Sequence, residues 1–193
     1  MYILGILGSP RQGGNTDTLL EKALEGARVS GAKTEKIVLN NLKMAPCQEC
    51  NEVKGDGTCK IEDDFQIACK KTKEADAVIF ASPIFFGSLS AQSKIFIDRF
   101  QCAWRYKFML PTTNDQRPTT KKKPGALILA EASKREDFLA NAEAVAKNFF
   151  VTVDMKYSKH LFCQGLEGKE AASKSAELLC KAEGLGKEIA SLC

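Results

Sequence analysis

Histidine and tryptophan are scarce, with one of each in 193 residues, and the lone His160 has no patterned acid or cysteine partner from which a nucleophilic triad is assembled. It reads as a structural histidine. No run approaches the roughly 18 apolar residues that a bilayer-spanning helix needs, since the best stretch, Ala75 to Leu89, carries Asp76, Pro83 and Gly87. No basic residue precedes the first apolar run and no small-residue cleavage site follows a long one, so a soluble, cytoplasmic protein is expected, with no membrane partner. Neither sign of charge dominates: 28 Lys and Arg stand against 24 Asp and Glu, a net +4. With Lys121–Lys123 as the one dense basic run, nucleic acid is not an expected partner. The balance of 27% charged and 44% hydrophobic residues excludes a disordered or fibrous chain.

Short apolar runs rich in β-branched residues and Phe recur at Tyr2 to Leu7, Thr34 to Leu39, Ala77 to Ala81 and Ala126 to Ala130, with a less regular fifth at Thr152 to Phe162. Between and after them, helical periodicity predicts helices over Thr16 to Ser30, Asp64 to Glu74, Ser90 to Ala103, Ser133 to Phe149 and Lys169 to Leu192. In the first, Leu19, Leu20, Ala23, Leu24 and Ala27 form one apolar stripe. Continuous hydrophobic strands separated by crossover helices imply a parallel sheet covered on both faces. The expectation is a three-layer α/β sandwich with five parallel strands in the flavodoxin-like order 2-1-3-4-5. It takes residues 1–193 as a single domain, with a Cys-bearing loop at 40–63 and a long insertion at 104–123. In such sheets ligands sit beyond the carboxyl ends of the strands where the order reverses, which draws attention to the segments after strands one and three.

The first of these reads Gly8-Ser9-Pro10-Arg11-Gln12-Gly13-Gly14-Asn15-Thr16 and opens a helix. Gly13 and Gly14 let backbone amides turn toward one point, Ser9 and Thr16 offer hydroxyls, and the helix start adds about half a positive charge. A phosphate suits this arrangement, with Arg11 as its neutralising side chain, and either Asn15 or Thr16 is placed to cap the helix. Neither GxxxxGK[ST] nor GxGxxG is present, and no Cys precedes Arg11, so a triphosphate loop, a dinucleotide fingerprint and a thiol phosphatase are all excluded. A mononucleotide with one terminal phosphate remains, which in this fold points to FMN.

The second segment reads Ser82-Pro83-Ile84-Phe85-Phe86-Gly87-Ser88-Leu89-Ser90. Pro83 and Gly87 shape it as a loop, and Ser88 or Ser90 caps the next helix. Adjacent Phe85 and Phe86 on a loop need a partner; opposite a phosphate loop, they and the amides of Ile84 to Ser88 suit an isoalloxazine ring.

The two loops, together with a Cys-rich segment closing on Cys59-Lys60-Ile61-Glu62-Asp63-Asp64 and the run Ala75 to Arg99, resemble the iron-sulfur flavoprotein branch of the NADPH-dependent FMN reductase family over roughly residues 1 to 103. The resemblance implies FMN held by Ser9, Arg11, Asn15 and Thr16 around the phosphate, and by Pro83, Ile84, Phe85, Phe86, Gly87 and Ser88 along the ring, in a homodimer or homotetramer. It implies hydride transfer from NADPH or NADH through FMN to a flavin, quinone or other small acceptor. No catalytic side chain is named, because the cofactor carries the hard chemistry. An alternative is an iron-sulfur flavoprotein electron carrier supplied by a ferredoxin-like partner; a third class is a flavin-free interaction protein. Family members also contact flavin from a glycine-rich loop after strand four, whereas Ala130 to Asp137 here holds no Gly.

Eight Cys in 193 residues fall below the density of a disulfide scaffold, and three of them cluster. Relatives that carry a [4Fe-4S] cluster use CxxCxxC followed by a fourth Cys. Here Cys47, Cys50 and Cys59 are present, but Val53 occupies a ligand position, and valine cannot ligate iron. The cluster is therefore not expected and no metal ligand is assigned. The three Cys are read as a vestigial loop, with a redox pair at Cys47 and Cys50 as another reading; Cys69 would have to reach back from a helix to serve as a fourth ligand. Asp63-Asp64 is read as the N-cap of the following helix.

Overall fold

The computed structural model describes residues 1–50, 56–109, 122–135 and 137–193. Its sheet is built on three strands whose side chains are apolar on both faces. In β1 (Tyr2–Leu7), Leu4 and Ile6 face one layer while Ile3 and Leu7 face the other. β3 (Ala77–Phe85) divides Val78 and Phe80 from Ala77, Ile79 and Ala81 in the same way. So does β5 (Lys123–Ala130), with Leu127 and Leu129 against Ala126, Ile128 and Ala130. Two-sided burial of this kind requires helices on both faces. With β2 (Lys33–Val38) and β6 (Met155–Cys163) at the edges, the order is β2-β1-β3-β5-β6 with all neighbours parallel. A two-residue β4 (Ser88–Leu89) folds back antiparallel on β3. Without that short arm the five main strands follow the flavodoxin-like order 2-1-3-4-5.

One face is covered by α1 (Asn15–Val29) and α6 (Ala176–Leu192), which pack on each other. The other carries α2 (Phe65–Glu74), α3 (Ala91–Asp98), α4 (Gln101–Phe108) and α5 (Asp137–Thr152). Phe65, Phe80, Phe96, Phe100 and Phe149 meet there in tilted and edge-to-face pairs with centroids 5.0–6.3 Å apart. Each such ring contributes on the order of 1.5–3 kcal/mol by burial.

Several boundaries differ from the sequence expectations. β3 runs past Ala81 to Phe85 and turns back through Phe86 and Gly87, where a loop is expected; Ile84 pairs with Leu89 and Phe85 with Ser88. The helix expected over Ser90 to Ala103 breaks at Arg99 and Phe100, because the Arg99 guanidinium turns inward while Phe100 stays in the aromatic cluster. α5 continues to Thr152, where strand is expected, since Phe149 and Phe150 are its core-facing residues; Asp154, at φ +61, then makes the turn into β6. α6 starts only at Ala176, where the Ser175 hydroxyl accepts from Leu178 N–H at 3.3 Å. Of the segment expected as an insertion, Trp104 to Phe108 complete α4, and residues 110–121 lie outside the described residues, as does Val53.

Candidate functional site

The strand order reverses between β1 and β3, so the loops that follow them leave the sheet side by side. They are also tied together. Gly8 N–H donates to the Ala81 carbonyl at 2.7 Å, and the Ser90 hydroxyl donates to the Gly8 carbonyl at 2.6 Å. Ser82, Ser90 and Ser93 are fully buried and bond one another: Ser93 Oγ lies 2.9 Å from Ser90 Oγ and donates to Ser82 Oγ at 3.1 Å, while Ser90 N–H donates to Ser82 Oγ at 3.1 Å. Ser90, not Ser88, is the cap of α3, accepting from Ser93 N–H at 3.2 Å. A β-carbon added to Gly8 would stand 1.9 Å from Ser93 Oγ, so any larger residue at this crossing must displace the Ser93 hydroxyl.

In the first loop, Ser9 is buried and its Oγ accepts from Arg11 N–H at 3.1 Å, while Arg11 itself is exposed. The cap of α1 is Gly14 rather than Asn15 or Thr16, and no side chain caps it. The first intrahelical bond runs from Thr18 N–H to Gly14 O at 2.9 Å, which leaves the amides of Asn15, Thr16 and Asp17 as the orphan donors of the helix start. Thr16 is buried beside them. Two groups are otherwise engaged. Asp17 Oδ2 takes Gly13 N–H at 2.7 Å, with Lys36 Nζ 2.8 Å from its other oxygen. The Asn15 side chain donates to the carbonyls of Leu166 and Gly168 at 3.3 and 2.8 Å and accepts from Ala172 N–H at 2.9 Å. Asn15 thus positions the loop by bracing it to the segment after β6.

In the second loop, Phe86 and Gly87 both have positive φ, +50 and +75, the signature of a type I′ hairpin turn. Phe138 packs beneath Gly87, where an added β-carbon would come within 3.0 Å of its ring. Phe86 is fully exposed and Phe85 nearly half so, so the turn holds two aromatic rings out at the sheet's carboxyl edge. Pro83 pairs with Ala130 across β3 and β5, which brings the loop after β5 to the same edge. There Glu131 is buried: its Oε1 accepts from Arg135 N–H and Gln164 Nε2 at 3.1 and 2.9 Å, and its Oε2 has no partner. Neither the serine network nor Glu131 belonged to a spacing motif. Three serines spread over a strand, a helix cap and a helix carry no periodic signal until the fold stacks them.

The Cys loop forms a second feature. Cys47, Cys50 and Cys59 line one pocket, and the break between α3 and α4 adds Cys102, with Arg99 and Arg105 in the wall. No disulfide joins any of the eight Cys. Arg99 is fully buried: Nη1 donates to Asp63 Oδ2 at 2.6 Å and to the Ala45 carbonyl at 2.8 Å, and Nη2 donates to the Ile61 carbonyl at 3.1 Å. Its Nε is buried without a partner. Asp64 sits at the cap position of α2 without capping it; its carboxylate takes Lys43 N–H, and Asp63 takes those of Ala45 and Phe65. The acidic pair therefore anchors the Cys loop more than it starts the helix. Burial pushes the Cys102 thiol up to about 11, and raises Cys69, which is buried in the same apolar layer as Cys59 without lining the pocket. His160 stacks on Tyr157 and stands 3.0 Å from Glu143 on the outer edge strand.

The sequence profile of the NADPH-dependent FMN reductase family matches residues 1–163. Among characterised sequences, an iron-sulfur flavoprotein of Methanocaldococcus jannaschii is 46% identical over 99 residues, 51% of this chain and 51% of that protein. One from Archaeoglobus fulgidus is 38% identical over 132 residues, 68% of this chain and 55% of that protein. The chain spans about half the length of the curated relatives it matches. Among solved structures, a flavone reductase superposes with a TM-score of 0.72 at 22% identity, covering 99% of this chain and 62% of that one. An NAD(P)H:quinone oxidoreductase from Methanothermobacter marburgensis gives 0.67 at 19%, covering 97% and 95%. At these identities the likeness establishes the fold. No helix among the described residues is long and apolar enough to cross a membrane.

Proposed function

Because the chain belongs to the NADPH-dependent FMN reductase family, we propose that it is an FMN-dependent oxidoreductase that takes hydride from NADPH or NADH and passes electrons to a flavin, quinone or other small acceptor. The observation that carries this reading is the tether from Gly8 to Ala81 and Ser90, which sets a phosphate loop and an aromatic-tipped hairpin against each other at the switch point of the sheet. Ser9, Arg11, Thr16 and the orphan amides of α1 hold the phosphate, and Asn15 fixes the loop's position from behind. Pro83, Ile84, Phe85, Phe86, Gly87 and Ser88 line the ring, with the exposed aromatic faces excluding water from one side. Bound FMN supplies hydride acceptance and redelivery. The protein's part is orientation, so no side chain is required as nucleophile or base.

A homodimer or homotetramer fits the run of exposed Trp104, Tyr106, Phe108 and Met109 on and beyond α4, a helix without one buried residue. A reducing, cytoplasmic setting fits eight Cys with no disulfide among them. A second reading, an electron carrier working with a ferredoxin-like partner, is favoured by the thiol-lined pocket alone.

The test is the visible spectrum of purified protein, followed by anaerobic titration with NADPH and NADH. Retained FMN with flavin absorbance that bleaches on adding either nucleotide is expected. Colourless protein that fails to take up added FMN removes both readings, and a yellow protein inert to both nucleotides leaves the carrier.

A further inference from the structure

Glu131 is an acidic side chain that the fold buries at the carboxyl edge of the sheet without completing its bonding. It is 5% exposed. Both of its side-chain partners reach the same oxygen: Arg135 N–H and Gln164 Nε2 donate to Oε1, and Oε2 is buried with no partner. These donors are a backbone amide and a side-chain amide, so neither neutralises the carboxylate. A buried carboxylate oxygen is seldom left bare in a native protein, because its lost hydration goes uncompensated.

The backbone places this oxygen's residue between the two loops already described. Glu131 directly follows Ala130, which pairs with Pro83 of the hairpin strand. Its carbonyl accepts from Leu166 N–H at 2.9 Å, and the Leu166 carbonyl in turn accepts from the Asn15 side chain at 3.3 Å, so one chain of bonds leads to the phosphate loop. On the other side, the Arg135 guanidinium lies 4.7 Å over the Phe138 ring, which packs beneath Gly87. Resting on the flavin reading above, we propose that Glu131 Oε2 accepts the N3–H of bound FMN, so that a side chain contacts the ring's polar edge from a loop, residues 130–137, that holds no glycine. The N3–H is the ring N–H that oxidised flavin offers. The ribityl hydroxyls lie toward the phosphate, and so toward Ser9 and Thr16 rather than Pro83. No proton changes hands in this contact. Its charge has an electronic effect as well: reduction adds negative charge to the flavin, and a carboxylate bonded to the ring opposes it. Glu131 therefore tightens oxidised FMN and lowers its midpoint potential.

The experiment uses the full chain, stripped of flavin and titrated with FMN and with N3-methyl-FMN, in which a methyl replaces the donor. The parent should bind the methyl analogue at least about tenfold more weakly than FMN, as expected for one hydrogen bond to a charged acceptor. Glu131→Gln keeps an acceptor for Arg135 and Gln164 but turns an NH₂ toward the ligand. It should bind FMN about tenfold more weakly, lose the preference for FMN over the analogue, and raise the midpoint potential of the flavin it retains. Should Glu131→Gln fold poorly, Glu131→Asp, which withdraws the carboxylate by one methylene, should lose the preference in the same way. Equal affinity of the parent for both flavins overturns the assignment, as does a Glu131 variant that keeps the parent's preference or an unchanged potential in Glu131→Gln. In those cases FMN still binds and the flavin reading stands, with Oε2 satisfied by solvent. A parent that takes up neither flavin overturns both.

Discussion

The Asp63 carboxylate and the Arg99 guanidinium meet at 2.6 Å, with the arginine side chain fully buried and the aspartate 14% exposed. Burial alone would raise the Asp63 pKa, but Arg99 and the amides of Ala45 and Phe65 outweigh it and hold the carboxyl below its ordinary value. Asp63→Ala leaves the guanidinium uncompensated in the core and should cost about 3–5 kcal/mol. Urea unfolding measures it. The double variant Asp63→Ala, Arg99→Met should recover part of the loss, because it no longer buries a lone charge. A loss under about 1 kcal/mol for the single change would mean that the pair does not anchor the Cys loop.

Gly8→Ala places a methyl against the Ser93 hydroxyl. The expected cost is about 1–3 kcal/mol of stability, together with weaker FMN retention, because the two loops must part to admit it. Adding Ser93→Ala removes the clashing oxygen and should restore part of both. Thermal unfolding and flavin content after dialysis report the two effects; unchanged values for Gly8→Ala would contradict the tether.

Phe86 occupies a left-handed turn position with its ring in solvent. Phe86→Asn gives the turn its preferred Asn-Gly pair and should stabilise the flavin-free protein by about 1 kcal/mol. If the ring packs on flavin, the same change should weaken FMN binding about three- to tenfold, equivalent to one aromatic contact. Opposite signs in the two assays are the expected result, and equal FMN affinity would remove Phe86 from the site.

Glu143 on α5 is bonded by Lys147 at 2.8 Å and Tyr157 at 2.5 Å. Burial opposes its ionisation, but these bonds prevail and its pKa is lowered in the folded chain. A depressed folded-state value means that the contribution is complete above the unfolded carboxyl value of about 4.3, and declines as pH falls through the folded one. Stability curves of the parent and Glu143→Gln should therefore lie apart at neutral pH and converge as pH falls below about 4. A gap that persists into acid would show that the residue acts by packing rather than by charge.

The parts of the fold legible in the sequence were those governed by local period. β1, the buried part of β3, and β5 are apolar on both faces, and α1 carries a clear stripe, so sheet, layers and order followed. Pro83 and Gly87 read as loop residues, yet Gly87 serves an antiparallel turn and Pro83 lies within the paired strand. The break at Arg99 was invisible because an arginine looks like helix surface until its buried partners are known. For the same reason spacing could count three thiols but not Cys102. Asn15 resembled a cap or phosphate ligand, and only the tertiary fold shows its amide spent on residues 166, 168 and 172.

That brace has a consequence for the order of assembly. The Gly-rich turn is separated from its three bonding partners by 151, 153 and 157 residues of chain. Closing so long a loop comes late in folding. The nascent amino-terminal half should therefore emerge with its nucleotide cradle slack, and shortening the chain before residue 172 should impair ligand capture even though every residue assigned to contact the ligand is retained.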